Sequence, residues 1–294
     1  MLDRQAIVSL GLSVMKNLLK LPKNLSRRYR MARLIEGFDR KADSLANPQA
    51  SGMPGGMHKS TIDEVLESPG LAERMRNSEL RQLPTDGKRA YFSWDLPGFM
   101  WDALLSSDTL HKMVTNYLGP DARIDDLYVK TVLDGYDSTS EGWHDDNVGY
   151  RIKVFMVFDT EGHPSGTVVV PTDRPNIYQV RLADELARMV KKPKMDSRPN
   201  QQLVSYNAGD CLSFDTNIPH RGDYSAGQGI RYCVIAEFID RNKADALRGR
   251  APCGPGQGRY RIKIPADLGI DLTLCPLIDQ KLVNKNETGI TYGY

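Results

Sequence analysis

Hydrophobic and polar positions follow two different patterns along the chain, and the change falls near residue 120. Before it, the pattern is helical in residues 1–45, 60–83 and 97–119. After it come short β-branched and aromatic runs, each bounded by Gly, Pro, Asn or Asp: 126–133, 150–158, 166–171, 202–207, 210–214 and 230–239. The sequence therefore predicts a mostly helical N-terminal layer over residues 1–120 and a strand core over residues 121–240.

Short strands at this spacing are typical of β-sandwiches and barrels, with the preceding helices packed on one face. The predicted fold class is mainly β with flanking helices (α+β). A helix-like insert at 182–192 interrupts the strands, and residues 241–294 read as an irregular C-terminal tail. Because 294 residues can bury a sizeable core and no internal repeat is visible, we expect one domain over 1–294.

The charge balance argues against a nucleic-acid-binding protein, since 39 Lys and Arg face 37 Asp and Glu for a net charge of +2. The four cysteines form no C-x-x-C pair, which favours free thiols in a reducing compartment. No apolar run is long enough to span a bilayer. We therefore expect an intracellular, soluble protein, and the basic N-terminus leaves organelle targeting open beside a docked helix.

The stretch EGWHDDNVGY, at 141–150, concentrates groups that can bind a metal. Alternate residues of a strand face the same side, so His144 and Asp146 share a face and Asp145 points away. His220 is the best candidate for a third ligand, because it closes the strand-and-turn segment GDCLSFDTNIPH. Two imidazoles and one carboxylate on one face leave about three positions open on an octahedral ion, as in non-haem Fe(II) oxygenases.

A single H-x-D tripeptide occurs often by chance, so two unrelated loop histidines remain an alternative. Arg231 favours a metal site over this alternative. It lies eleven positions after His220, at the start of the apolar strand RYCVIAEF. Since a buried unpaired charge is costly, an acidic ligand held through a planar bidentate contact would explain the guanidinium there.

Taken together, WHDD and PHRGDYSAGQGIRY resemble the Fe(II)/2-oxoglutarate-dependent oxygenases, in particular their phytanoyl-CoA dioxygenase-like branch. The resemblance covers roughly residues 110–240 and also includes HKMVTNYLGPDA, KVFMVFD and GTVVVP in that order. The chain departs from the pattern at one place. Many relatives have Gly-Ser-His after the VVVP strand, where this chain has Thr172-Asp173-Arg174. The substrate therefore does not carry over from the family.

The resemblance implies a double-stranded β-helix core (jelly-roll, cupin-like) with Fe(II) held by His144, Asp146 and His220. It also implies that 2-oxoglutarate chelates the iron and pairs its far carboxylate with Arg231. With O2, the reaction would oxidise an unactivated C–H bond of a small organic molecule, such as a specialised metabolite. Halogenating relatives lack the carboxylate ligand, so Asp146 argues against halogenation. Hydroxylation, desaturation and oxidative cyclisation stay open.

Other residues are weaker candidates. Tyr128 and Lys130 lie two apart on one strand and can both face the pocket to touch 2-oxoglutarate or substrate, although Lys130 could equally reach the surface. Trp143, Arg151 and Arg174 are candidates for substrate contact, and Trp143 is also a natural core residue. A carboxylated substrate is favoured by four basic side chains near the predicted mouth: Lys130, Arg151, Lys153 and Arg174.

Two other functions stay open. A cupin-like metal-dependent hydrolase or isomerase would use the same three ligands with zinc or manganese and has no need of Arg231. A non-catalytic barrel binding protein would present its basic N-terminal helix to a partner. In the leading hypothesis the partner is a small-molecule substrate, with no nucleic acid and no integral membrane segment, and the oligomeric state is open.

Overall fold

The structure is a computed structural model, and it describes residues 4–45, 52–83, 90–133, 142–146, 148–162, 165–171, 197–223, 230–248, 262–266, 268–286 and 289–293. The helix expected at 182–192 and the loop carrying Arg174 lie outside these ranges. Within them the α-helices are α1 Arg4–Leu45, α2 Ile62–Val65, α3 Leu71–Arg76, α4 Gly98–Ser106, α5 Asp108–Leu118 and α6 Arg241–Leu247. No helix in this part of the chain is long and apolar enough to cross a membrane.

The strands of the described residues are β1 Met57–Thr61, β2 Ala90–Ser93, β3 Ala122–Val132, β4 Arg151–Asp159, β5 Ser165–Val169, β6 Gln202–Tyr206, β7 Asp210–Asp215, β8 His220–Asp223, β9 Arg231–Asp240, β10 Ile262–Ile264, β11 Val283–Asn286 and β12 Gly289–Tyr292. The six strand runs expected from the sequence correspond to β3, β4, β5, β6, β7 and β9. The strands not foreseen have three to five residues, and such short runs leave little alternation to detect.

The strands form three antiparallel sheets, so the chain combines helices with mostly antiparallel strands, as the sequence predicts. The main sheet has the order β1-β7-β4-β9-β3-β2, and the second sheet has the order β6-β5-β8. The third sheet, β10-β12-β11, lies in the region predicted to be an irregular tail. It joins the core because its apolar side chains are buried, and the Tyr292 hydroxyl donates to the carbonyl oxygen of Ile124 at 2.8 Å.

Strand β9, in the middle of the main sheet, packs its two faces against different partners. On β9, Val234 and Ala236 join the core beneath the helices, whereas Cys233 and Ile235 join a second core that includes Val169 of the second sheet. Because side chains alternate along a strand, Arg231 and Glu237 lie on the same side as Cys233 and Ile235. We call this side, which faces the second sheet, the inner face.

The N-terminal helix docks through its C-terminal half. Ala32, Ile35 and Asp39 are buried there, and Ile35 packs with Val148 and Leu247 in a small core of its own. The segment 148–150, which this helix covers, leads from the H-x-D motif into β4. Residues 32–39 therefore belong to a docked helix, as expected from the sequence.

Candidate metal centre

His144 and His220 are joined through their backbones. The amide of each donates to the carbonyl oxygen of the other at 3.0 Å, which makes an isolated antiparallel bridge. Two residues on, the Asp146 amide donates to Thr216 at 3.0 Å. The motif is thus an extended segment held by the β7–β8 connection rather than the strand that the sequence suggested. The alternation still applies, and Asp145 between the two ligands is half-buried.

The three predicted ligands come together. One ligand atom from each of His144, Asp146 and His220 lies within 4.8 Å of the others. The Nδ1 atom of His144 lies 2.8 Å from the carbonyl oxygen of Gly142, and Nδ1 of His220 lies 2.9 Å from that of Ile218. A carbonyl oxygen only accepts, so each Nδ1 carries the proton and each Nε2 keeps its lone pair. These imidazoles are set in the tautomer that a metal requires.

The charge states of His220 and Asp146 also suit a metal. Burial, together with the neighbouring His144, lowers the pKa of His220 to about 3, so this imidazole is neutral at physiological pH. Burial alone would raise the pKa of Asp146, but Lys153, His220 and Arg151 outweigh it and hold this pKa well below its usual range. Two imidazoles and one ionised carboxylate make a donor set that fits a divalent ion such as Fe(II).

Two cations from β4 hold the Asp146 carboxylate. Lys153 Nζ donates to Oδ2 at 3.1 Å, and Arg151 Nη1 donates to the same oxygen at 3.4 Å. Because both cations contact Oδ2, Oδ1 is the carboxylate oxygen that could bind a metal. Sequence reasoning named Lys153 only as a charge near the mouth and did not foresee this contact.

Glu237 neutralises the two cations from the neighbouring strand. It is buried on β9, opposite Lys153 in the register, and its carboxylate pairs with Lys153 at 3.2 Å and with Arg151. Arg151 also pairs with Asp125 at 3.0 Å. Arg151, expected to contact substrate, therefore already has three carboxylate partners, and its contact with substrate stays a prediction. Glu237 was missed, although a charge inside the apolar run IRYCVIAEFI was a visible signal.

A hydrogen-bonded turn carries His220. Asp215 ends β7 and accepts from the backbone and side-chain amides of Asn217, each at 2.9 Å, and from the Tyr117 hydroxyl at 2.9 Å. Burial raises the pKa of Asp215 to about 6 against the effect of these hydrogen bonds. The Asn217 side chain in turn accepts from the Val148 amide at 3.3 Å. This network couples the β7–β8 turn to the segment that follows Asp146.

A row of aromatic rings runs from the metal residues to Arg231. Phe214 meets the His220 ring edge-on at 5.1 Å and stacks on Phe155 at 5.5 Å. The guanidinium of Arg231 lies 6.0 Å from the Phe155 ring and 5.6 Å from the Tyr206 ring. Arg231 is buried at the first position of β9. It therefore lies on the same face as the candidate ligands, beyond two stacked rings.

Lys130 and Tyr128 project from β3 on the inner face, opposite Cys233 and Ile235 of β9. Burial, then the nearby Arg231, lowers the pKa of Lys130 to about 8. The Tyr128 hydroxyl donates to Glu237 at 3.3 Å, and burial raises the pKa of Tyr128. The structure thus brings both residues to the predicted pocket side and gives Tyr128 a protein partner.

The edge of this face carries an aromatic cluster that sequence reasoning did not identify. Phe92 lies on β2 and Trp94 directly follows that strand. Their ring centroids are 6.3 Å apart, and the ring centroids of Trp94 and Tyr128 are 5.8 Å apart. The Trp94 indole donates to Asp126 at 2.9 Å. Burial and the neighbouring Asp125 raise the pKa of Asp126 to about 6. Phe92 is 40% exposed.

Trp143 is buried beside the first ligand. The guanidinium carbons of Arg198 and Arg221 lie 4.8 and 5.4 Å from its ring centroid. Such cation–π contacts fix the indole and the chain around His144. Trp143 thus has packing contacts within the protein, and its contact with substrate stays a prediction; Arg174 lies outside the described residues.

Comparisons with known proteins give distant structural similarity only. No family model matches the chain, and no curated protein matches it. One similar structure is HygX from Streptomyces hygroscopicus, solved with nickel and 2-oxoglutarate bound. It is 15% identical with a TM-score of 0.46, and the match covers 63% of this chain and 83% of the HygX chain.

A second similar structure is EctD from S. alaskensis with bound Fe, at 14% identity and a TM-score of 0.40, covering 68% of this chain and 78% of its own. A third is EvdMO1, at 13% identity and a TM-score of 0.38; the match covers 65% of this chain and 48% of EvdMO1. With TM-scores below 0.5, these similarities by themselves assign no activity to the chain.

Proposed function

We propose that the protein is an Fe(II)- and 2-oxoglutarate-dependent oxygenase that oxidises an unactivated C–H bond of a small organic metabolite. The observation that carries the proposal is the placement of Arg231 on the same inner face as His144, Asp146 and His220. A three-residue ligand set leaves about three positions on an octahedral ion for co-substrate and O2. A buried guanidinium on that face can take the far carboxylate of a dicarboxylate.

The arrangement favours this function over a metal-dependent hydrolase or isomerase. A hydrolase would use the same three ligands to activate water and would leave Arg231 without a role in the reaction. In the oxygenase, the inner-face cations Arg231 and Lys130 both serve a dianionic co-substrate. The phytanoyl-CoA dioxygenase-like branch and the double-stranded β-helix, with the main and second sheets as its two walls, belong to the same proposal.

The side chains divide the work as follows. His144 and His220 offer Nε2 because their Nδ1 protons are committed to carbonyl oxygens. Lys153 and Arg151 fix Oδ2 of Asp146 and keep the carboxylate ionised. Phe155 and Phe214 exclude water between the ligands and Arg231, which strengthens the charge pairing there. When bound, Fe(II) with 2-oxoglutarate and O2 supplies the oxidising power to remove a hydrogen atom from substrate.

Fewer observations support the substrate class than support the reaction class. Of the four cations that favoured a carboxylated substrate, Arg151 and Lys153 pair with Asp146 and Glu237. Lys130 is assigned to 2-oxoglutarate. A carboxylated metabolite therefore remains part of the proposal through Arg174 alone, and hydroxylation, desaturation and cyclisation all fit the site.

Turnover without substrate tests the proposal. The protein is incubated with Fe(II), 2-oxoglutarate, ascorbate and O2, and succinate is measured against time. The parent and Asp145→Asn are expected to form succinate slowly, whereas Asp146→Ala is expected to form none. If Asp146→Ala still forms succinate, Asp146 is not a metal ligand. If the folded parent forms no succinate, 2-oxoglutarate is not its co-substrate.

A further inference from the structure

The N-terminal helix reaches the segment that follows the metal ligands through a buried ion pair. Lys243 Nζ of α6 donates to Oδ1 of Asp39 at 2.8 Å, and the two residues are 1% and 2% exposed. The same ammonium donates to the carbonyl oxygen of Tyr150 at 2.6 Å, and the Tyr150 amide donates to Oδ2 of Asp39 at 3.1 Å. The pair therefore clamps both backbone polar groups of one residue.

The backbone next to this clamp lies directly against α1. Gly149 has a φ of +77°, and a Cβ added there would lie 2.2 Å from Oδ2 of Asp39 and 2.4 Å from Cγ2 of Ile35. Only glycine combines this left-handed conformation with so close an approach. The segment 148–150 is thus enclosed by α1, and its position depends on where α1 lies.

This segment connects the metal ligand to the cations that hold it. Asp146 lies on one side of it, and Arg151 and Lys153, which both contact Asp146 Oδ2, begin β4 on the other. A shift of Tyr150 would move the start of β4 and, with it, the two donors on the ligand. Asp39 therefore acts on Asp146 through one backbone residue and two side chains.

We propose that Asp39 is a positioning residue of the metal centre and that full metal affinity requires the N-terminal helix to be docked. The inference rests on the proposed metal site. A buried ion pair is not in itself a gain in stability, because apolar residues of similar volume hold two helices together as well or better. Asp39 and Lys243 instead fix the orientation of the backbone, since they bind the two peptide groups that flank the Tyr150 Cα.

Metal affinity of the folded protein tests the role. Co(II) is titrated in competition with a chelator, well below the unfolding temperature, for the parent, Asp39→Asn and Lys243→Met. Loss of groups that orient metal ligands typically costs about 10- to 100-fold in affinity, and we expect Kd for Co(II) to rise about 10-fold in both variants. The absorption bands of bound Co(II) should also change shape. Arg40→Gln, at an exposed position of the same helix, should match the parent.

Two outcomes separate this inference from the proposed function. If the variants melt earlier but bind Co(II) with the parent's affinity and spectrum, Asp39 is structural only and the inference is wrong. If the folded parent binds no Co(II), the proposed function and the inference fail together.

A double variant and a pair of glycine variants distinguish a loss of Co(II) affinity from unfolding of the protein. Asp39→Leu/Lys243→Met keeps an apolar contact between α1 and α6 and should fold, yet bind Co(II) more weakly than the parent. Gly149→Ala should also weaken Co(II) binding, because its Cβ displaces Asp39. Gly70→Ala has the same positive φ of +77°, but its Cβ would lie in open space, so it should leave Co(II) affinity unchanged. Equal Co(II) affinity in Gly149→Ala and Gly70→Ala contradicts the inference.

The parent alone gives a further test. Coupling between two sites is reciprocal, so Co(II) should slow amide hydrogen exchange in residues 31–41 of α1 if the helix position raises metal affinity. Exchange in that segment that is the same with and without Co(II) overturns the inference whatever the variants do.

Discussion

His144 and His220 exchange two backbone hydrogen bonds of 3.0 Å, and their rings lie 4.2 Å apart. The bridge holds the H-x-D segment against the start of β8, so that two regions distant in sequence present their imidazoles together. Each imidazole is fixed further by its own Nδ1 contact with a carbonyl oxygen two residues earlier. The candidate metal site is therefore held together mainly by backbone hydrogen bonds.

Removal of either histidine should abolish tight metal binding. His144→Ala and His220→Ala are each expected to lower Co(II) affinity by more than the roughly 100-fold that supporting residues cost. His58→Ala, at an exposed histidine of β1, should bind like the parent. Chelator competition measures all three, and near-parental affinity in either ligand variant would contradict the assignment.

Arg231 should determine co-substrate affinity without affecting the metal. Truncation of one partner of a buried charge pair costs about 2 kcal/mol or more, so Arg231→Ala should raise Kd for 2-oxoglutarate at least about 30-fold. Calorimetric titration with Co(II) in place of iron measures this without turnover. Arg231→Lys should recover only part of the loss, because an ammonium lacks the planar fork. Parallel loss of metal and 2-oxoglutarate in Arg231→Ala would mean that the residue is structural.

The pH dependence of 2-oxoglutarate binding should report Lys130. Burial and the nearby Arg231 lower the pKa of Lys130 to about 8, so the side chain is a cation below that pH and becomes neutral above it. Kd for the dianion should be nearly constant below pH 8 and rise above it. In Lys130→Met, binding should be weaker at pH 7 and this rise should disappear. A rise of equal size in parent and variant would place the titrating group elsewhere.

Glu237 should matter for stability because it neutralises two buried cations. Glu237→Gln leaves Arg151 and Lys153 with less counter-charge, and loss of one partner of a buried pair costs about 3 kcal/mol. Asp95→Asn removes one partner of an exposed ion pair with Lys263 and should have little effect on unfolding. Urea denaturation compares the two, and similar midpoints for Glu237→Gln and the parent would show that the network is dispensable.

Much of the core, and the grouping of the three candidate ligands, could be predicted from the sequence, because both depend largely on local patterns. The runs that became β3, β4, β7 and β9 alternate or stay apolar over at least six residues, which is long enough to recognise. His144 and Asp146 followed from two-residue alternation. The third sheet was missed because its strands have three or four residues and acquire their order by packing on the core.

The supporting contacts could be foreseen only in part. Lys153 and Glu237 are charges inside apolar strands, the same signal that identified Arg231, and could have been paired by that reasoning. Asp39 could not have been found in this way, because it is one of three acidic residues in a long basic helix. Its role depends on where α1 docks against Gly149 and Lys243, which only the folded chain determines.

An anaerobic absorption spectrum tests most directly whether one inner face holds both Fe(II) and 2-oxoglutarate. Purified protein is mixed with Fe(II) and 2-oxoglutarate without O2, and the visible region is recorded. We expect a weak charge-transfer band of the iron chelate in the parent, no band in Asp146→Ala, and a band in Arg231→Ala only at much higher 2-oxoglutarate. If a folded parent binds Fe(II) but gives no band at saturating 2-oxoglutarate, 2-oxoglutarate does not chelate the iron and the proposed function is wrong.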